Sequence, residues 1–398
     1  MKALDSIICI GQTPWQGEFQ NSAVQLLTEL SNYYRVLYVD YQYTLKDMVM
    51  GVTGRRNVPM QKLVNRKGVL TKVEENRELY VWLPPVMAPV NWMSDSYHDT
   101  FLQINTKRLT NGLREVMKEL RMQSPLIINA FNPVQGLPLL HKLGEVATIY
   151  YCFDEISAEA WMGKHGARYE KKYLKAVDAV VTTSEALQQF KSQEQPRTFC
   201  VKNGANFDLF YQAHLLKSQK PKSENKTIGY LGTADNRIDG ELVERCVQDM
   251  PQHRFEFLGP VNDDTLKERL SGYSNVIFTP SKRPEELPQA LSEWDAAMIP
   301  FVCNEHTYTI YPLKINEYLA AGLPVVTTPF SILKDFEDIV SIESTAEAFS
   351  KSLQKALEST DPVEVKQRIE MARGNSWAHR AKEFRSIIEQ IVDWKLVS

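Results

Sequence analysis

Short apolar runs alternate with amphipathic stretches along most of this chain, the pattern of parallel sheets covered on both faces by helices. Residues 6–10 read as a first strand, 11–17 as a loop, and 19–30 as a helix with Phe19, Ala23, Leu26, Leu27 and Leu30 on one face. Further strands are expected at 36–39, 79–83, 126–129, 147–152, 179–183 and 198–201. The alternation fails at 211–226, where a polar, Pro-containing run without periodicity reads as a linker. It then restarts, with strands expected at 227–231, 255–258, 276–279, 296–300 and 324–328, and helices beginning near Ile238, Asp263, Pro284 and Pro312. From Ser376 onward, Trp377, Ala381, Phe384, Ile387, Ile388 and Ile391 recur at helical spacing, as in a long closing helix.

The expected fold class is α/β, two doubly wound Rossmann-like domains facing a cleft. The first domain is expected over 1–210, the linker over 211–226, the second domain over 227–375, and a C-terminal helix over 376–398 that packs back on the first. Ligands in such sheets bind beyond the carboxyl ends of the strands, so two facing domains can hold two substrates. Forty-six Lys and Arg against 49 Asp and Glu leave a net charge of −3, which excludes a global electrostatic attraction to nucleic acid. The five cysteines are scattered and odd in number, so neither a disulfide framework nor a zinc cluster is expected, and a reducing cytosol fits best. No stretch reaches the roughly 18 uninterrupted apolar residues of a membrane span, so a cytoplasmic location is expected.

The most informative stretch is 311–328, where Pro312 pre-sets a first helical turn, Gly322 stops the helix, and 324–328 drops into a buried strand. Lys314 and Glu317, three apart, share a helix face near its N-terminus, where oriented N–H groups favour a phosphate and a carboxylate can take a ribose diol. The same spacing also suits an ordinary ion pair on a capped helix.

This segment and the upstream 285–301 resemble the donor-binding region of GT-B-fold glycosyltransferases, in the branch that includes teichuronic-acid-type enzymes of bacterial polysaccharide synthesis. Supporting matches run in family order: Tyr150-Tyr-Cys-Phe-Asp-Glu-Ile-Ser157, Val181-Thr-Thr-Ser184, Val201-Lys-Asn-Gly-Ala-Asn-Phe-Asp208, Ile228-Gly-Tyr-Leu-Gly232 with Arg237, and Phe257-Leu-Gly-Pro260. The resemblance implies an acceptor-binding first domain and a second domain that holds a nucleotide-diphosphate sugar of the UDP or GDP type as donor. It implies Glu317 on the ribose hydroxyls, Lys314 and Arg237 near the diphosphate, Gly232 beside them, and backbone donors around Thr307, Tyr308 and Thr309 on phosphate or sugar. Arg237 also fits a solvated charge after a loop. One departure stands out: retaining members often carry two glutamates with seven residues between, and here the first position is Thr309. Glu305, on the same loop, is the candidate for the sugar-contacting role, and Lys282 and Arg283, beside the presumed base pocket, fit either uracil or guanine.

In the first domain, Asp154 and Glu155 directly follow an apolar strand and should emerge at its carboxyl end. The resemblance places an acidic residue there beside the donor's anomeric carbon, which makes Asp154 the catalytic candidate; helix capping is the other reading of the pair. The loop carrying Gly11, Trp15 and Gly17 precedes a helix and can approach acceptor or phosphate closely, but its glycines do not match the dinucleotide spacing. His165 and His306 receive no role. No Asp-x-Asp triplet occurs, so no metal and no further cofactor are expected, and protein cations should hold the diphosphate.

Lys46, Arg55, Arg56, Lys62, Arg66, Lys67 and Lys72 lie in a basic stretch opposed within it only by Asp47, followed by an apolar run from Trp82 to Trp92. Such a cluster fits the inner face of an anionic membrane, or a solvated loop. The reading is a retaining, metal-independent glycosyltransferase acting on a surface polysaccharide or lipid-linked glycan; the alternative is a catalytically inactive binding protein of the same fold in a polysaccharide assembly complex.

Overall fold

A computed structural model describes residues 4–17, 21–65, 67–91, 93–156, 165–219, 224–359 and 361–397; Phe19, Arg66, Trp92 and Ser157 lie outside the described residues. The chain divides into two compact units, Met1–Lys202 with Ala381–Ser398, and Asn203–Arg380.

The sheet of the first unit comprises β1 (Ser6–Ile10), β2 (Arg35–Val39), β3 (Val69–Lys72), β4 (Leu79–Leu83), β5 (Leu126–Ala130), β6 (Ala147–Cys152), β7 (Ala179–Thr182) and β8 (Thr198–Cys200). Its order is β3-β4-β2-β1-β5-β6-β7-β8. Every residue of β1, β5 and β6 is buried, as apolar strands covered on both faces must be. The covering helices are α1 (Ser22–Leu30), α2 (Leu45–Val52), α3 (Met60–Leu63), α4 (Asp95–Glu119), α5 (Pro133–Leu139), α6 (Gly166–Leu174) and α7 (Glu185–Ser192). Strand β3 was not expected. It lies in the stretch read as a basic loop and pairs antiparallel with β4 at the sheet edge, half exposed, so it lacks the apolar run of a central strand.

The second unit carries β9 (Thr227–Leu231), β10 (Arg254–Leu258), β11 (Val276–Thr279), β12 (Ala296–Ile299), β13 (Val325–Thr327) and β14 (Ser341–Ile342), in the order β11-β10-β9-β12-β13-β14. All its pairings are parallel. Its helices are α8 (Phe207–Lys217), α9 (Gly240–Asp249), α10 (Asp264–Leu270), α11 (Leu287–Leu291), α12 (Glu305–Tyr308), α13 (Leu313–Ala320), α14 (Ala346–Glu358) and α15 (Pro362–Gly374).

Helix α8 runs into the segment read as a linker. Phe207, Phe210 and Ala213 bury into the core of the second unit, and Lys217 donates to the Trp294 carbonyl and pairs with Asp295 at 3.0 Å, so the polar end is tied down. The last helix, α16 (Trp377–Val397), has its residues from Ala381 onward in the first unit, where Phe384 packs edge-on to Tyr151 and Lys395 pairs with Asp178 at 2.5 Å.

Candidate functional site

In the second sheet the chain runs outward from β9 through β10 to β11, then returns across to β12. The loops after β9 and β12 therefore part at the point where open α/β sheets bind ligands. Here they are bonded together, Asp239 N–H to the Pro300 carbonyl at 2.8 Å and Val302 N–H to the Arg237 carbonyl at 2.8 Å.

Gly232 directly follows β9 with φ +126°, a conformation L side chains rarely adopt, and Gly259 after β10 has φ +144°. A Cβ on Gly232 would lie 2.7 Å from Lys314 Cε, and one on Gly259 would lie 2.4 Å from the Gly232 carbonyl oxygen. The two glycines thus allow the β9 turn to lie against the Lys314 stem. The Lys314 ammonium sits 5.6 Å from the Tyr230 ring centre and 5.7 Å from that of Phe301, while the Arg237 guanidinium is 5.6 Å from the same Phe301 ring. Aromatic faces at this distance favour cations that have lost water. Arg237 is held in a fork by Asp235, with Nε–Oδ1 2.8 Å and Nη2–Oδ2 2.6 Å.

Helix α13 begins at Leu313 after Pro312, and no side-chain bond caps it. Lys314 and Glu317 lie on its first turns, as the spacing requires. Burial pulls the Lys314 ammonium down to about 8, assisted by the charge of Arg237 and opposed by Glu317 and Asp235. Burial pushes the Glu317 carboxyl up to about 7, opposed by Lys314. A half-buried lysine that titrates early and a buried carboxyl that titrates late can take an anion and a hydroxyl pair, respectively. The next residues of the helix are structural. Tyr318 Oη accepts from Leu231 N–H at 2.7 Å, fixing α13 to the end of β9, and buried Asn316 joins Tyr311 and Asn375 by hydrogen bonds of 3.1 and 3.0 Å.

The structure thus brings Gly232, Arg237, Lys314 and Glu317 into one cluster. Thr307, Tyr308 and Thr309 lie on and just after α12, tethered to the cluster through Val302, whose carbonyl accepts from the Thr307 hydroxyl at 2.6 Å. Thr307 and Asn304 form a reciprocal helix cap, so the Thr307 side chain serves the turn. Tyr308 is exposed, the Thr309 hydroxyl bonds the His306 carbonyl at 2.8 Å, and Glu305 is exposed on the first turn of α12. Arg283 is exposed and pairs with Glu286 at 3.1 Å. Sequence reasoning missed Asp235, Tyr230 and Phe301; only the Asp235-x-Arg237 spacing in a loop carried a signal for the first.

In the first unit the loop after β1 follows the equivalent switch point, between β1 and β5. A Cβ on Gly11 would strike the Tyr38 ring at 2.2 Å, so the chain passes there only as glycine. Trp15 packs edge-on to Tyr38 and donates its N–H to Asp40 at 2.8 Å, and Gly17 is exposed. Asp154 lies just beyond β6, half-buried, and accepts from the Glu155 N–H at 2.9 Å. Glu155 accepts from buried Lys191 at 2.9 Å, and Lys191 also holds Glu170 at 2.9 Å, which accepts from the Tyr150 hydroxyl at 2.8 Å. This buried network fixes the backbone that presents Asp154. His165 stacks on buried His98, ring centres 3.7 Å apart, beside an Arg168–Asp99 pair of 2.8 Å.

Residues 225–359 match the family described as Glycosyl transferases group 1. Over 277 residues the chain is 23% identical to TuaH of Bacillus subtilis (strain 168), assigned as a teichuronic acid biosynthesis glycosyltransferase, covering 65% of this chain and 67% of that protein. The sucrose-phosphate synthase of Thermosynechococcus elongatus superposes with a TM-score of 0.70 at 15% identity, over 97% of this chain and 99% of that one. Anabaena HepE, solved in complex with UDP and glucose, superposes with a TM-score of 0.66 at 12% identity, over 97% of this chain and all (100%) of that one.

Proposed function

We propose that this chain, a glycosyltransferase of the GT-B fold with a group 1 glycosyl transferase domain in its second unit, moves a sugar from a UDP- or GDP-type donor to a hydroxyl of a surface polysaccharide or lipid-linked glycan. The observation that carries the reading is the convergence of Arg237, Lys314 and Glu317 beside the Gly232 turn at the switch point of the second sheet. The diphosphate pairs with Lys314 and competes with Asp235 for the Arg237 fork, while Glu317 accepts from the ribose hydroxyls. The relatives support it: TuaH is assigned to teichuronic acid biosynthesis, and HepE was solved with UDP.

The transfer proceeds with retention. The bond from the anomeric carbon to the diphosphate oxygen breaks, the bond to the acceptor oxygen forms on the same face, and the departing phosphate oxygen takes the acceptor's proton. Asp154 orients that hydroxyl, and the Lys191–Glu155 pair positions the Asp154 backbone. Lys314 and Arg237 neutralise the developing charge, which is the role a divalent metal plays in enzymes with an Asp-x-Asp triplet. Among the described residues no helix is long and apolar enough to cross a membrane. On this reading the reaction takes place in the cytoplasm, at the inner face of the membrane if the acceptor is lipid-linked.

A thermal-shift and calorimetric panel of UDP, GDP, ADP and their sugar conjugates, with and without magnesium, tests the reading. One nucleotide should bind selectively, without metal, and lose affinity in Glu317→Ala; Asp154→Ala should lose turnover with donor binding kept. Binding of none, or a strict magnesium requirement, refutes it.

A further inference from the structure

We propose that the first unit docks on an anionic phospholipid bilayer through α2 and the N-terminal half of α4. A surface helix normally turns its apolar stripe inward. In α2 the stripe is inverted: Leu45, Val49 and Val52, at i, i+4 and i+7, are exposed, Val52 to 76%, while Asp47 is buried and Met48 is half-buried against Tyr43, Leu63 and Leu83. Helix α4 repeats the arrangement on a second stripe, where Tyr97, Phe101 and Ile104 are exposed, Tyr97 to 67%, while Leu102, Asn105 and Leu109 bury.

The two stripes flank one segment. Leu45 N–H bonds the Met87 carbonyl at 3.2 Å, Asn105 exchanges bonds of 3.0 and 2.9 Å with Ala88, and Arg108 donates to the Val86 carbonyl at 2.8 Å. Beside that segment lies a groove of about 540 Å³ whose lining includes Lys67, Lys107, Arg108 and Ile104, opposed there by Glu115. Lys46, Arg55 and Lys62 are exposed nearby along the chain, whereas Arg56 is held by Asp47 and Trp82 is buried, so neither belongs to the docking surface expected from sequence.

Charge decides the occupant. The cores of stable protein interfaces are depleted in lysine, whereas here Lys46 on α2 and Lys67 and Lys107 at the groove border the exposed stripes, opposed at the start of α4 by Asp95 and by Asp99, which Arg168 holds at 2.8 Å. That mixture suits an interface where apolar side chains enter the acyl boundary and cations meet lipid phosphates. The inference stands on the first unit alone and does not rest on the transfer reaction.

Co-sedimentation of the full chain with phosphatidylcholine vesicles and with phosphatidylglycerol-rich vesicles tests it. Binding should be about tenfold or more stronger on the anionic vesicles. It should fall by about tenfold or more in Val49→Ser/Val52→Ser and, separately, in Lys67→Glu/Lys107→Glu. Lys267→Glu/Lys282→Glu, an equal charge change at exposed positions of the second unit, should bind as wild type. Equal binding to both vesicle types, or equal loss in the second-unit variant, overturns the proposal. So does a concentration-dependent dimer that Val49→Ser/Val52→Ser abolishes, since a second copy would then be the occupant. Unchanged circular dichroism melts of these surface variants show that the effects are not unfolding.

Discussion

Donor binding should reverse the sign of its proton exchange between pH 7 and pH 8.5. In the free protein Lys314 is held to about 8 by burial and by Arg237, and Glu317 is raised to about 7 by burial. A diphosphate beside Lys314 favours the ammonium and returns it toward its ordinary 10.5. At pH 8.5 the free Lys314 is largely neutral and the complexed one is charged, so up to about one proton is taken up. Ribose hydroxyls donating to Glu317 favour its carboxylate and lower its value. At pH 7 part of the free protein is protonated there while Lys314 is already largely charged, so the net exchange is the release of a fraction of a proton. The assay is calorimetry of a nucleotide sugar in buffers of different ionisation enthalpy, because its phosphates are fully ionised throughout this range. The slope of heat against buffer enthalpy counts protons directly. Release at both values, or uptake at pH 8.5 that survives in Lys314→Met, would refute the assignment of Lys314 to the diphosphate.

Substituting the two glycines separates strain from site geometry. Gly232→Ala puts a side chain at φ +126° and a Cβ 2.7 Å from Lys314 Cε, a flexible atom that can move. It should cost about 1–3 kcal/mol of stability and weaken donor binding as Lys314 leaves its aromatic neighbours. Gly259→Ala meets backbone, the Gly232 carbonyl oxygen at 2.4 Å, and should lower the melting temperature further; equal melting temperatures would contradict this. Lys191→Met leaves Glu155 and Glu170 without their shared cation and should destabilise the first unit by about 3–5 kcal/mol in urea unfolding. Because Lys191 is raised above its ordinary 10.5 in the folded protein, its contribution is fully present below that value and is lost only as the pH rises through the higher folded one. A wild-type urea midpoint in the variant would rule out that role.

What the sequence discloses follows from how each feature is encoded. Parallel strands covered on both faces must be apolar throughout, so β1, β5, β6 and β12 stand out as runs, while the half-exposed edge strand β3 does not. Lys314 and Glu317 are legible because three residues apart on a helix is a local relation that needs no tertiary information. Asp235, Tyr230 and Phe301 are not, because their meaning is a distance to Arg237 and Lys314 set by loops from two strands. The basic stretch shows both limits at once. Its charges are plain in the sequence, but only burial reveals that Arg56 is spent on Asp47 and that Trp82 faces inward. The exposed stripe of α2 is spaced like any core-facing stripe. An inverted helix and an ordinary one therefore share the same sequence pattern, and the difference lies in which face the neighbouring chain covers. Surfaces built by withholding burial are for that reason the least visible to sequence reasoning, whereas the donor cluster, built from a local helical pair, is half visible before any fold is known.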